Sequence, residues 1–194
     1  FQTDQQGEVY DKDGTLIALL KNDRNLIYLT SDEIPDTVKE AFVSIEDKRF
    51  YKHHGFDPLA IIRAAKSIIS NESITQGGST ITQQLARNIY LTHTVRWERK
   101  VEEIFIAMAL EKKYSKEELL EFYINNIYFS NGYYGIQAAS QGYFNKDASD
   151  LSLSQAAFLC AIPNSPNLYD PLKHKDDTLT RRDLILKNML QNLN

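Results

Sequence analysis

The sequence predicts a mainly α-helical domain preceded by a short N-terminal β hairpin. Three observations carry that expectation. Apolar residues recur at helical spacing from residue 35 onward, Ser115 and Ser152 each open a Ser-x-x-Glu/Gln capping box, and Asp13-Gly14 sits between apolar flanks. With 194 residues and 42% hydrophobic content, the chain can bury one respectable core. A net charge of −4 argues against a dedicated nucleic-acid binder. The single cysteine, Cys160, lies in an apolar run, so no intrachain disulfide can form and the thiol is expected in the core. No stretch reaches the ~18–20 apolar residues of a membrane span. The polar start, without Met or a secretion signal, reads as a segment of a longer chain.

Val9 to Ile17 form the hairpin around Asp13-Gly14, and Leu26 to Leu29 suit a third short strand. Pro35 and Asp36 open a helix with Val38, Ala41, Phe42 and Ile45 on one face, which delivers Glu46 at its end. Asp57-Pro58 supplies an N-cap and a helix-initiating proline for a helix running to about Asn71. Its broad apolar face (Leu59, Ile61, Ile62, Ile68, Ile69, with Arg63 and Lys66 nearby) is either core or a surface dipping into lipid headgroups. Gly77-Gly78 breaks the chain, and Ser79 or Thr80 caps the next helix through about Tyr90. A long helix spans about Val95 to Lys113, and the Ser115 box starts another that ends near Asn125. Asn131 to Gly135 form a loop before the helix Ile136 to Phe144. Ser152 opens a helix that Pro163 stops, and an amphipathic helix with Leu184, Ile185, Met189 and Leu190 closes the chain.

Three segments can carry chemistry. Glu46 ends its helix against the negative end of the dipole, a locally unfavourable place for an anion. Near it Asp47, Phe50, His53 and Gly55 offer a second carboxylate, a wall, a carboxylate holder and a close turn; a solvated acidic pair is the bland alternative. Gly77-Gly78-Ser79-Thr80-Ile81-Thr82-Gln83-Gln84 opens into a helix start whose free N–H groups attract anions, with Arg87 and Asn88 a turn beyond. It lacks the Gly-Lys-Ser/Thr ending of a nucleotide phosphate loop. On the next helix Arg96, Lys100 and Glu103 share a face, with Arg99 four residues before Glu103: either a salt-bridged solvent face or cations placed to hold a diphosphate. His53-His54 has no partners at zinc-ligand spacing, and Tyr123, Tyr128, Tyr133, Tyr134 and Tyr143 are expected to pack rather than to stack on sugars.

In order and separation, these segments resemble the five motifs of the peptidoglycan glycosyltransferases, the polymerising domain of class A penicillin-binding proteins. Glu46-Asp47-x-x-Phe50-x-x-His53-x-Gly55 is similar to the first, the Gly77 to Gln84 run to the second, and Arg99-Lys100-x-x-Glu103 to the third. Lys113 to Asn125 is similar to the fourth, and Gly135 to Ala139 with Tyr143-Phe144 to the fifth. The resemblance implies a lysozyme-like helical lobe (35–56 and 76–194), a smaller hydrophobic membrane-facing lobe (about 57–75) and a β appendage (about 1–34) in one domain. It implies lipid II and the growing glycan chain as substrates, with Glu46 taking the proton of the acceptor 4-hydroxyl and polyprenyl diphosphate leaving with inversion. Arg99, Lys100 and Arg87 would neutralise the leaving group, with Glu103 holding cations or a Mg²⁺ or Mn²⁺ ion; no tightly bound cofactor is implied. Asp47, His53, Ser79, Thr80, Gln83, Gln84, Asn88 and Arg96 would contact sugar or diphosphate. Moenomycin would occupy the same cleft as an inhibitor. The parent would carry a transmembrane helix and a penicillin-binding transpeptidase, and would work at the outer face of the bacterial cytoplasmic membrane. No Ser-x-x-Lys or Lys-Thr-Gly occurs, so this segment should not acylate with β-lactams. A lysozyme-type glycan-cleaving enzyme is the nearest alternative, since one essential Glu in a helical fold serves both.

Overall fold

The computed structural model describes residues 7–10, 16–20, 27–69, 77–90 and 97–192. Among these, eight α-helices follow one antiparallel hairpin, β1 (Gly7–Tyr10) and β2 (Leu16–Leu20). The helices are α1 (Asp36–Glu46), α2 (Pro58–Ile69), α3 (Ile81–Tyr90), α4 (Trp97–Lys113), α5 (Lys116–Asn126), α6 (Ile136–Phe144), α7 (Leu153–Ala161) and α8 (Lys175–Asn192). Short 3-10 turns at Phe50–Lys52 and Ala148–Asp150, which the sequence did not announce, link longer elements. Both capping boxes form: the Ser115 and Ser152 hydroxyls accept from the backbone of Glu118 and Gln155, whose side chains reach back.

The expected third strand does not form. The backbone of Leu29 pairs instead with a side chain, donating N–H to Asn125 Oδ1 at 2.9 Å and accepting from its Nδ2 at 2.8 Å. Asn125 presents one acceptor and one donor side by side, so it satisfies an extended residue as a neighbouring strand would. Glu121, a turn earlier on α5, accepts from Ser31 N–H at 2.7 Å and from the Tyr28 hydroxyl.

The helices pack in two groups around a shared core. α1 lies against α7 and α8, while α3 lies against α4 and α5. Phe42 on α1 meets the Tyr123 ring of α5 edge-on at 5.5 Å, which joins the groups. Cys160 is fully buried beside Val38, as expected, and burial pushes its thiol pKa up. Phe50, expected to wall a site, is instead core, with the Lys116 ammonium 4.4 Å above its ring. No helix among the described residues is long and apolar enough to cross a membrane.

Candidate active site

Glu46 is the last residue of α1 and is 6% exposed. Its charge, set against the wrong end of the helix dipole, needs donors from elsewhere. Arg181 on α8 brings Nη2 to 3.1 Å from Oε1, and Gln84 on α3 donates Nε2 to Oε2 at 3.0 Å. The Tyr123 hydroxyl in turn donates to Gln84 Oε1 at 3.1 Å, so the amide can present only its NH₂ to Glu46. Burial, reinforced by the Glu46 charge, raises the Tyr123 pKa well above its ordinary value and keeps that phenol a donor. The Arg181 guanidinium also lies over the Tyr169 ring, at 5.2 Å. Four helices therefore converge on one carboxylate, and each of its oxygens, holding one donor, keeps room to accept another.

Asp47 points the other way. Its two oxygens lie 3.0 and 2.9 Å from His53 Nε2, and Oδ2 also accepts from Ile81 N–H at 3.0 Å. His53 Nδ1 accepts from Gly55 N–H at 3.2 Å, which assigns its ring proton to Nε2. Thr80 and Gln83 cap α3 reciprocally: Gln83 Oε1 accepts from Thr80 N–H at 2.9 Å, and Thr80 Oγ1 accepts from Gln83 N–H at 3.1 Å. The Thr80 hydroxyl donates to Gly55 O at 2.8 Å. All four side chains are buried. Sequence reasoning placed them against the substrate; the structure turns them inward, because the free N–H groups at the start of α3 need acceptors. Gly55 closes the node at φ +87°, where a Cβ would stand 2.7 Å from the Ala107 carbonyl carbon.

The cations gather one turn further along α3. Glu103 on α4, 1% exposed, lies 2.8 Å from Lys100 Nζ, 3.7 Å from Arg99 Nε and 3.9 Å from Arg87 Nη1. Lys100 also donates to Ser79 Oγ at 2.7 Å. Three cations face one carboxylate, so the cradle keeps an excess of two positive charges. Gln84 and Arg87 are three residues apart, about 4.5 Å along the axis, so one helix serves both the base and the cradle. Asn88 is exposed beside Arg87. Arg96 lies outside the described residues. A divalent ion does not fit Glu103: its oxygens face cations, and no group of three or more His, Cys, Asp or Glu gathers among the described residues. Sequence reasoning missed Arg181 and set Tyr123 aside as packing.

The chain matches the family model described as Transglycosylase over residues 13–190. It is 46% identical over 186 residues to penicillin-binding protein 4 of Bacillus subtilis, covering 95% of this chain and 30% of that protein. Penicillin-binding protein 1F of Bacillus subtilis is 48% identical over 182 residues, covering 94% and 25%. Penicillin-binding protein 1A of Aquifex aeolicus is 44% identical over 187 residues, covering 96% and 26%. The chain thus spans between a quarter and a third of the length of these relatives.

Proposed function

The chain belongs to the transglycosylase family, as a domain of the kind carried by class A penicillin-binding proteins, and we propose that it polymerises lipid II into glycan strands. One observation carries the reading: an ordered, buried carboxylate and a three-cation cradle are engaged by successive turns of α3.

The acceptor's 4-hydroxyl donates to the free lone pairs of Glu46 and gives up its proton as its oxygen attacks the donor's anomeric carbon. The bond from that carbon to the diphosphate oxygen breaks with inversion, and Arg87, Arg99 and Lys100 neutralise the departing charge. Glu103 holds those three side chains in place, and no step is assigned to a metal. A hydrolase acting on a neutral glycosidic bond would have no diphosphate to neutralise, so the cradle favours transfer over cleavage. The polyprenyl tail stays in the bilayer while the sugars enter the cleft, consistent with work at the outer face of a cytoplasmic membrane.

Glu46→Gln should lower release of polyprenyl diphosphate from lipid II by at least ~100-fold while lipid binding persists. Unchanged turnover would remove Glu46 as the base, and shortening of finished glycan by the wild-type protein would replace polymerisation with cleavage.

A further inference from the structure

Polymerisation brings two diphosphates to the protein, one on each substrate, and this inference rests on that reading. The donor carries its diphosphate on the carbon that reacts, so the group must lie next to Glu46, where the Arg87–Arg99–Lys100 cradle stands. The acceptor reacts at the far sugar of its disaccharide. Its diphosphate must therefore sit two pyranose rings from Glu46, in a direction the cradle does not cover.

The wall built by α8 leads to such a place. Arg181, which holds Glu46, and Asn188 are seven residues apart, on the same face and about 10 Å along the axis. Asn188 is buried, and its Oδ1 accepts from Lys48 Nζ at 3.3 Å. The Lys48 ammonium thus stands roughly a disaccharide's length from the base. Among the described residues no carboxylate pairs with it. Next to it Arg49 Nε and Arg63 Nη2 share one carboxylate, the buried Asp57, at 3.2 and 3.7 Å. Three cations again face a single anion. Partial burial and then the charge of Arg63 hold the Lys48 pKa below the ordinary lysine value, as befits a cation lacking its counter-ion.

We propose that Lys48 and Arg63 form a second anionic subsite, which anchors the diphosphate of the acceptor lipid while its disaccharide spans α8 to Glu46. Lys48 supplies a compact ammonium and Arg63 a half-exposed guanidinium that can reorient from Asp57 toward a phosphate oxygen.

The test replaces both with Gln and follows turnover against lipid II concentration in phosphatidylcholine vesicles. Losing charge-assisted bonds of this kind should raise the half-saturating concentration about ten-fold, with the maximal rate nearly kept and moenomycin affinity unchanged. An unaltered half-saturating concentration overturns the subsite, and so does an equal loss of moenomycin affinity, which would merge it with the donor cradle. If Lys48→Gln weakens sedimentation with phosphatidylglycerol vesicles but leaves lipid II saturation alone, the pair serves bilayer headgroups and the proposal fails. Should the wild-type protein release no polyprenyl diphosphate, the polymerase reading itself falls. The subsite is then read by calorimetry with farnesyl diphosphate on Lys100→Ala protein, where adding Lys48→Gln should weaken the residual binding about ten-fold; no change overturns it.

Discussion

At the level of single residues, the ion pair between Glu46 and Arg181 does two things at once. Both side chains are nearly buried, so each has lost its water and depends on the other. Arg181→Met should therefore cost about 3–5 kcal/mol in urea unfolding, because it strands the Glu46 charge. Glu46→Gln placed on top of Arg181→Met should recover more than half of that loss. Additive costs in the double variant would mean that the two groups do not sense each other. The pair also shows where sequence reading stops. Glu46 was legible because its neighbours Phe50, His53 and Gly55 follow in a fixed local pattern. Arg181 was not, since it stands 135 residues later beside another arginine and nothing in a helical repeat says which of the two turns inward. Asp47, Thr80 and Gln83 were found but given the wrong direction: spacing identifies polar residues, while the helix start that consumes their hydrogen bonds is a tertiary fact.

Elements that a period or a cap defines locally were readable, and those fixed by a distant partner were not. The Ser115 and Ser152 helices follow from four-residue boxes, whereas the segment at Leu29 looked like a strand only because its residues favour one. Asn125 supplies the missing neighbour, so Asn125→Ala should lower stability by about 1–2 kcal/mol through two lost backbone partners. Hydrogen exchange at Leu29 should rise with it; protection equal to wild type would show that the segment is held by packing alone. The start of α3 is more demanding. Gly55→Ala forces an L residue into positive φ and pushes its Cβ against the α4 backbone at Ala107. A cost of at least ~2 kcal/mol is expected, with loss of turnover, since the shift moves α3 and α4, which carry Gln84, Arg87 and Lys100, relative to each other. Wild-type stability would mean that α4 yields freely at Ala107.

Across the whole molecule, α4 relates the chemistry to a surface. Arg99, Lys100 and Glu103 occupy one side of this helix; Val101, Phe105 and Met108, at i, i+4 and i+7, occupy the opposite side and are all exposed. Phe105 is 67% exposed, and on α2 Ile62 is 62% exposed with Leu59 and Ile61 beside it. Large apolar side chains grouped this way are costly in water and suit contact with lipid. A lipid-linked substrate explains why such a surface should back onto a diphosphate cradle: the polyprenyl tail never has to leave the bilayer while its headgroup crosses one helix diameter to the cations. Ile62→Glu with Phe105→Glu should then cut co-sedimentation with liposomes by at least about half, because each carboxylate opposes burial among acyl chains. The unfolding midpoint should move little, since exposed substitutions rarely change stability by more than ~0.5 kcal/mol. Glu46→Gln, which disables the proposed base without touching this face, should sediment as wild type does. If the apolar-to-acidic variant still sediments fully, the lipid contact lies elsewhere on the chain, and the opposition of faces on α4 carries no membrane role.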